Sequence, residues 1–216
     1  MEAILRGVLG VLADLVGPTR CAACDGEARR GTAFCPPCAA TLVRSSNADP
    51  ERTAAFVYGG AIAQALKRFK FDDHPDLAPA LIAGLAPHLP RLRVATLVVP
   101  VPLHPSRLVE RGYNQAALLA RPLARSLGAP CAMRALERLV ATARQTELTR
   151  AARARNVERA FMPLERSRLV GQTVLLVDDV ETTGATLAAC RAAVMAGGAR
   201  AVHTIVIART DATDER

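Results

Sequence analysis

The stretch Val174-Leu-Leu-Val-Asp-Asp-Val-Glu-Thr-Thr-Gly-Ala-Thr-Leu187 decides the fold. Val174 to Val177 form an unbroken apolar run that meets two adjacent carboxylates, Asp178 and Asp179. A hydroxyl-rich turn with a single glycine, Gly184, then opens an alanine-rich segment from Ala185 to Ala196. A continuous apolar run without alternation suits a strand buried on both faces, as in a parallel α/β sheet. The stretch therefore reads as strand, loop and helix start.

Ligands of such sheets bind at the C-terminal ends of the strands, and this reading puts Asp178 and Asp179 at that end. Carboxylates there accept hydrogen bonds from vicinal sugar hydroxyls. The turn Thr182-Thr183-Gly184-Ala185-Thr186 offers successive backbone N–H groups, three hydroxyls and the positive end of a helix, which together form an anion cradle. Sugar hydroxyls beside a phosphate describe a ribose 5-phosphate. The competing reading is a buried strand followed by an ordinary capped helix. The stretch lacks the paired glycines and Gly-Lys ending of a P-loop. It resembles the signature of type I phosphoribosyltransferases, which bind 5-phosphoribosyl 1-pyrophosphate (PRPP). The resemblance implies that Asp178 and Asp179 hold ribose and metal as the catalytic pair. It also implies a PRPP-binding run through Val180, Glu181, Thr182, Thr183, Gly184, Ala185 and Thr186, with the 5-phosphate on Thr182 to Thr186.

The fold class expected is thus α/β, a phosphoribosyltransferase-like parallel sheet with flanking helices and a small N-terminal four-cysteine zinc-ribbon module. The 216 residues suit one medium domain plus something small. The formal net charge is +8, and Lys67 and Lys70 are the only lysines among 28 basic residues. Such a charge suits phosphate partners, or equally reflects an Arg-biased proteome with solvated faces. An aromatic content of 3% argues against a surface that stacks many bases. The longest uncharged stretches, 53–66 and 77–90, fall short of the roughly 20 apolar residues that span a bilayer. Residues 1–16 read as an amphipathic helix and not a signal peptide, so a cytoplasmic location is expected, with peripheral contact at the inner face of the membrane kept open.

Cys21-Ala-Ala-Cys24 and Cys35-Pro-Pro-Cys38 are two Cys-x-x-Cys knuckles. Each turn brings two thiolates to one side, and two such turns complete a closed tetrahedral site for structural Zn²⁺. Cys131 and Cys190 stand alone and read as core residues. Ser45 to Arg52 reads as the linker, which sets an N-terminal module at 1–45 apart from a phosphoribosyltransferase-like domain at 52–210. Within the latter, a strand is expected over 54–58, helices over 61–70 and 75–89, a strand over 94–102, a helix over 116–126 and a last strand over 201–207, with fraying from Arg209.

The 94–102 strand runs into a loop, Leu103 to Gln115, that carries Ser106, Arg107, Arg111, Asn114 and Gln115. Guanidinium groups pair bidentately with phosphate oxygens, so Ser106, Arg107 and Arg111 are candidate pyrophosphate ligands. His104 reads either as a proton donor or as a packed, hydrogen-bonding residue. Lys70-Phe71 reads either as a phosphate or base contact or as a solvated helix end. Between Arg134 and Arg168 there are nine Arg against four Glu. This segment, with Arg144, Gln145 and Arg153, is a hood over bound ligand or a solvated surface.

The four cysteines, the Val-Pro-Val-Pro-Leu-His-Pro-x-Arg…Arg-Gly-Tyr-Asn-Gln run, the Gln145…Leu148…Arg153…Asn156…Phe161 series and the Asp-Asp-Val-x-Thr-Thr-Gly-Ala-Thr loop occur in this order. In that arrangement the chain resembles the ComF family. The family implies double-zinc-ribbon and phosphoribosyltransferase domains, Mg²⁺ with PRPP, and an association with natural competence and the use of external DNA. Two other functions stay open: a non-catalytic PRPP-binding regulator, and an adaptor of the DNA-import machinery contacting single-stranded DNA or a translocating ATPase.

Overall fold

A computed structural model describes residues 20–47, 49–139 and 160–210. The N-terminal helix expected over 1–16 and the hood residues Arg144, Gln145 and Arg153 lie outside them. The centre is a four-stranded, all-parallel sheet in the order β1 (Arg52–Val57), β6 (Ala201–Arg209), β5 (Thr173–Glu181), β2 (Leu97–Pro100). A short antiparallel ribbon, β3 (Leu136–Arg138) with β4 (Phe161–Pro163), lies apart from it.

Successive residues of a strand face opposite sides, and the two sides of this sheet carry separate cores. Leu175, Val177, Ile205 and Ile207 meet α2 (Gly60–Phe71) and α6 (Gln115–Leu127) on one face. Val174, Leu176, Val202 and Val206 meet α7 (Arg166–Leu169), α8 (Ala185–Ala196) and the β3–β4 ribbon on the other. Coverage of both faces is what an unalternating apolar strand requires.

Several boundaries differ from those read in the sequence. The helix expected over 75–89 is broken into short turns, among them α3 (Ala78–Ala83) and α4 (Leu89–Leu92), with a proline opening each piece. Where a loop was expected after β2, Pro105–Arg111 forms a short helix, α5. It starts on a His104 side chain that accepts from Ser106 N–H and ends at Gly112. The expected linker is a turn that folds back on β1. Ser45 N–H donates to the Ala55 carbonyl, Val57 N–H to the Val43 carbonyl, and Asn47 bonds both polar groups of Ala54. Arg52 and Arg209, placed by sequence in a linker and a frayed end, are both strand residues.

The cysteine turns, with α1 (Pro36–Ala39), pack against α2. Cys21, Ala23 and Cys35 share a small core with Ala61. Thr41 Oγ1 accepts from Ala61 N–H at 2.9 Å and donates to the Cys38 carbonyl at 2.8 Å.

Candidate functional site

β2 stops pairing with β5 at Pro100, opposite Val177. β5 continues for four residues beside β6 alone, to Glu181. Val101 N–H still donates to the Val177 carbonyl at 2.9 Å, and beyond it Pro102 and Leu103 border a cleft of about 260 Å³ lined by Asp178, Asp179, Arg107, Arg111, Asn114, Gln115, Arg138 and Thr186. The two aspartates thus lie near the C-terminal end of β5, where the β6 ladder holds them.

Strand alternation gives them different neighbours. Asp179 is 6% exposed and pairs with Lys70 Nζ at 3.0 Å. Asp178 faces the other side, accepts from Asp179 N–H at 2.9 Å and feels the charge of Arg138. Burial first, then repulsion by Asp179, pushes the Asp178 carboxyl up to about 7.

Across the cleft, Arg111 Nη1 donates to Gln115 Oε1 at 3.3 Å. Arg111 Nε and Gln115 Nε2 are buried donors without a protein acceptor. Buried donors left unmatched cost about 1–3 kcal/mol each, so an acceptor oxygen that reached this wall would find donors without a partner. Arg107 lines the same wall. Ser106 instead turns its hydroxyl to the His104 ring at 2.8 Å, which assigns His104 to helix capping.

Beside the aspartates a shallow hollow of about 30 Å³ is lined by Asp178, Val180, Glu181, Thr182, Thr183, Gly184, Ala185, Thr186 and Leu187. Gly184 has φ of +76°, a region disfavoured for residues with a Cβ. The Glu181 carboxylate does not face an anion there. It is buried and ion-paired with Arg52, and with Arg209 Nε at 2.5 Å. Its oxygen lies 2.9 Å from where a Cβ on Gly184 would stand.

The sequence reading missed Arg138, which reaches the cleft from β3, with its guanidinium 5.3 Å from the Phe161 ring centre. Burial lowers its pKa. Only its place in an Arg-rich segment hinted at it. Lys70 was left open between ligand contact and helix end, and its ion pair sets it beside Asp179, a residue that lines the cleft.

Away from this cleft, the Sγ atoms of Cys21, Cys24, Cys35 and Cys38 lie within 4.8 Å of one another. Cys24 and Cys35 are 3.7 Å apart, near the ~3.8 Å edge of a tetrahedron with Zn–S bonds of about 2.3 Å. Burial raises the Cys21 thiol, yet hydrogen bonds from the backbone of Cys24, Cys35 and Ala23 outweigh it and bring the thiol down to about 6. The cluster can hold a zinc ion.

No family model matches the chain. It is 30% identical over 209 residues to DNA utilization protein YhgH of Escherichia coli K12, covering 88% of this chain and 90% of that protein. It is 35% identical over 129 residues to competence protein F of Haemophilus influenzae, covering 56% of each chain. With competence protein ComFC of Bacillus subtilis it shares 26% over 173 residues, 79% of this chain and 69% of that one. Among solved structures, a purine phosphoribosyltransferase from Pyrococcus horikoshii aligns at 18% identity and TM-score 0.40, covering 63% of this chain and 84% of that one. The glutamine PRPP amidotransferase of Bacillus subtilis aligns at 19% and TM-score 0.42, covering 65% and 30%.

Proposed function

This chain belongs to the ComF family, that of DNA utilization protein YhgH and the competence proteins F and ComFC, and from that membership we propose that it binds PRPP or a related ribose 5-phosphate ligand in the β5 cleft, in the service of DNA uptake or use. The observation that carries this reading is the arrangement around one strand end. A carboxylate pair stands between a wall of guanidinium and amide donors seeking oxygens and a Thr-Gly cradle at the start of α8. A ligand with anionic groups at both ends and vicinal hydroxyls between them matches that order. Arg107 and Arg111 would hold the pyrophosphate, Asp178 and Asp179 the ribose hydroxyls, and Thr182 to Thr186 the 5-phosphate. Arg138 would add positive charge near the leaving group.

The two carboxylates also suit a divalent cation, since such an ion would offset the burial and the Asp179 repulsion that hold the Asp178 carboxyl up to about 7. They form no cluster of three or more acidic or imidazole ligands among the described residues, so phosphate oxygens and water would complete the shell of a Mg²⁺ ion. Mg²⁺ bound there would neutralise the departing pyrophosphate. The chain's own part is to orient C1 of the ribose and to hold the developing charge on preset donors. Tyr58 and Phe71 are the exposed aromatics among the described residues. That is few for a surface that stacks single-stranded bases, which favours a small phosphorylated ligand over nucleic acid in this cleft.

Calorimetric titration of the zinc-loaded protein with PRPP and Mg²⁺ tests the reading. Saturable binding is expected for the wild type, and a loss of at least tenfold in affinity for the double variant Asp178→Asn, Asp179→Asn. Absence of binding by the wild type overturns it.

A further inference from the structure

Four consecutive residues at the end of α2 connect the cysteine module to the cleft. Arg68, with a side chain 15% exposed, donates to the carbonyls of Cys21 and Ala22, both at 3.1 Å. Its other nitrogen reaches Asp25 Oδ1 at 3.0 Å and lies 3.2 Å from His74 Nε2. Lys70 points the opposite way and pairs with Asp179, since residues two apart on a helix diverge by about 200°. Phe69 between them is fully buried. Its carbonyl, one of those a helix end leaves without an internal partner, accepts from the Tyr113 hydroxyl at 2.6 Å. Phe71 carries the Arg111 guanidinium 5.0 Å from its ring centre.

The carbonyls that anchor Arg68 lie inside the first Cys-x-x-Cys turn, whose shape a bound metal fixes. On the far side of the same helical turn, Lys70 cancels one charge of a carboxylate pair that a polyanionic ligand must approach. Without that ammonium, Asp179 would repel phosphate oxygens nearby.

We propose that Arg68 is a positioning residue through which the filled four-cysteine site sets the affinity of the cleft for its phosphorylated ligand, with Lys70 as the group it positions. This rests on reading the cleft as a PRPP site. The coupling runs through one rigid helical turn held by Arg68, Tyr113 and Lys70, and a coupling free energy is reciprocal. Bound ligand therefore also retains zinc.

A double-mutant cycle on the full-length protein tests this, with PRPP and Mg²⁺ affinity read by calorimetry and zinc content by a colorimetric assay. Arg68→Ala is expected to weaken binding about five- to twentyfold while keeping one zinc per chain, and Arg68→Lys to recover part of the loss. In a Lys70→Ala background, Arg68→Ala should add less than twofold, because the group it positions is gone. Chelator extraction of zinc should weaken the wild type at least as much as Arg68→Ala does and leave the Arg68→Ala protein nearly unchanged. Should Arg68→Ala not fold, Asp25→Asn and Arg68→Lys carry the same cycle with smaller steps. Wild-type affinity in the Arg68 variants, or effects that multiply in the double variant, overturns the coupling alone. Failure of the wild type to bind overturns the cleft reading and the coupling together.

Discussion

Asp178 and Asp179 line one cleft but differ in how their charges are compensated. The ammonium of Lys70 compensates Asp179, whereas burial and its neighbour hold Asp178 up to about 7. For a carboxyl whose folded pKa exceeds its unfolded one, the folded state binds the extra proton between the two values, so stability falls as pH rises from about 4 to about 7. Asp178→Asn in ligand-free protein should therefore stabilise the fold at pH 8 by on the order of 1–3 kcal/mol, seen as a higher melting temperature. The gain should vanish near pH 4. Thermal melts across that range decide it, and a pH-independent difference would show that Asp178 is not the group responsible. The same substitution weakens PRPP binding if the cleft is read correctly, which makes Asp178 a residue whose charge is held against stability for ligand binding.

At the scale of elements, the strand–loop–helix unit from β5 to α8 was legible because its apolar run, its carboxylates and its glycine are local signals. The start and end of α8 at Ala185 and Ala196 were read correctly from the glycines that bracket it. The true end of β5 was not, since Asp178 to Glu181 are charged or mixed and stay in the strand through hydrogen bonds to β6. The orientation of Glu181 was equally hidden, because Arg52 is 129 residues away in sequence. An ion pair of that kind leaves no local trace. The structure gives it a mechanical role under the cradle, where it excludes a side chain on Gly184. Gly184→Ala should cost about 1–3 kcal/mol from the backbone strain and the clash, and should weaken ligand binding more than tenfold. Chemical denaturation and calorimetry check the two parts, and an unaffected affinity would remove the cradle from the site.

For the whole molecule, the cysteine module is joined to the sheet domain through α2 by hydrogen bonds from Ala61 and Arg68 and by a shared apolar cluster. A tetrahedral zinc site contributes its binding energy to folding. Removal of zinc by a chelator, or Cys24→Ser, is expected to lower the melting temperature of the sheet domain by several degrees within one cooperative transition. Two separate transitions, with the second unmoved, would show the module to be thermally independent. The β5 stretch and the ordered motifs made the α/β class and the four-cysteine cluster readable in advance. They did not reveal that the module and the cleft share a helical turn, since Arg68 and Lys70 look alike in sequence as charges at a helix end.

The turn that brings residues 43–47 back along β1 has one more consequence. The exposed flank of that border strand already has Val43 and Ser45 hydrogen-bonded to it. On the opposite border, Val98 of β2 bonds Pro130 and Ala132. An unprotected flank would template the addition of a foreign strand, a common way for proteins to capture extended peptides or to aggregate. Here both borders are occupied by the chain itself. Among the described residues the four-stranded sheet therefore offers no free border to a designed β-strand mimic, and a partner of that sheet must recognise side chains instead of strand edges.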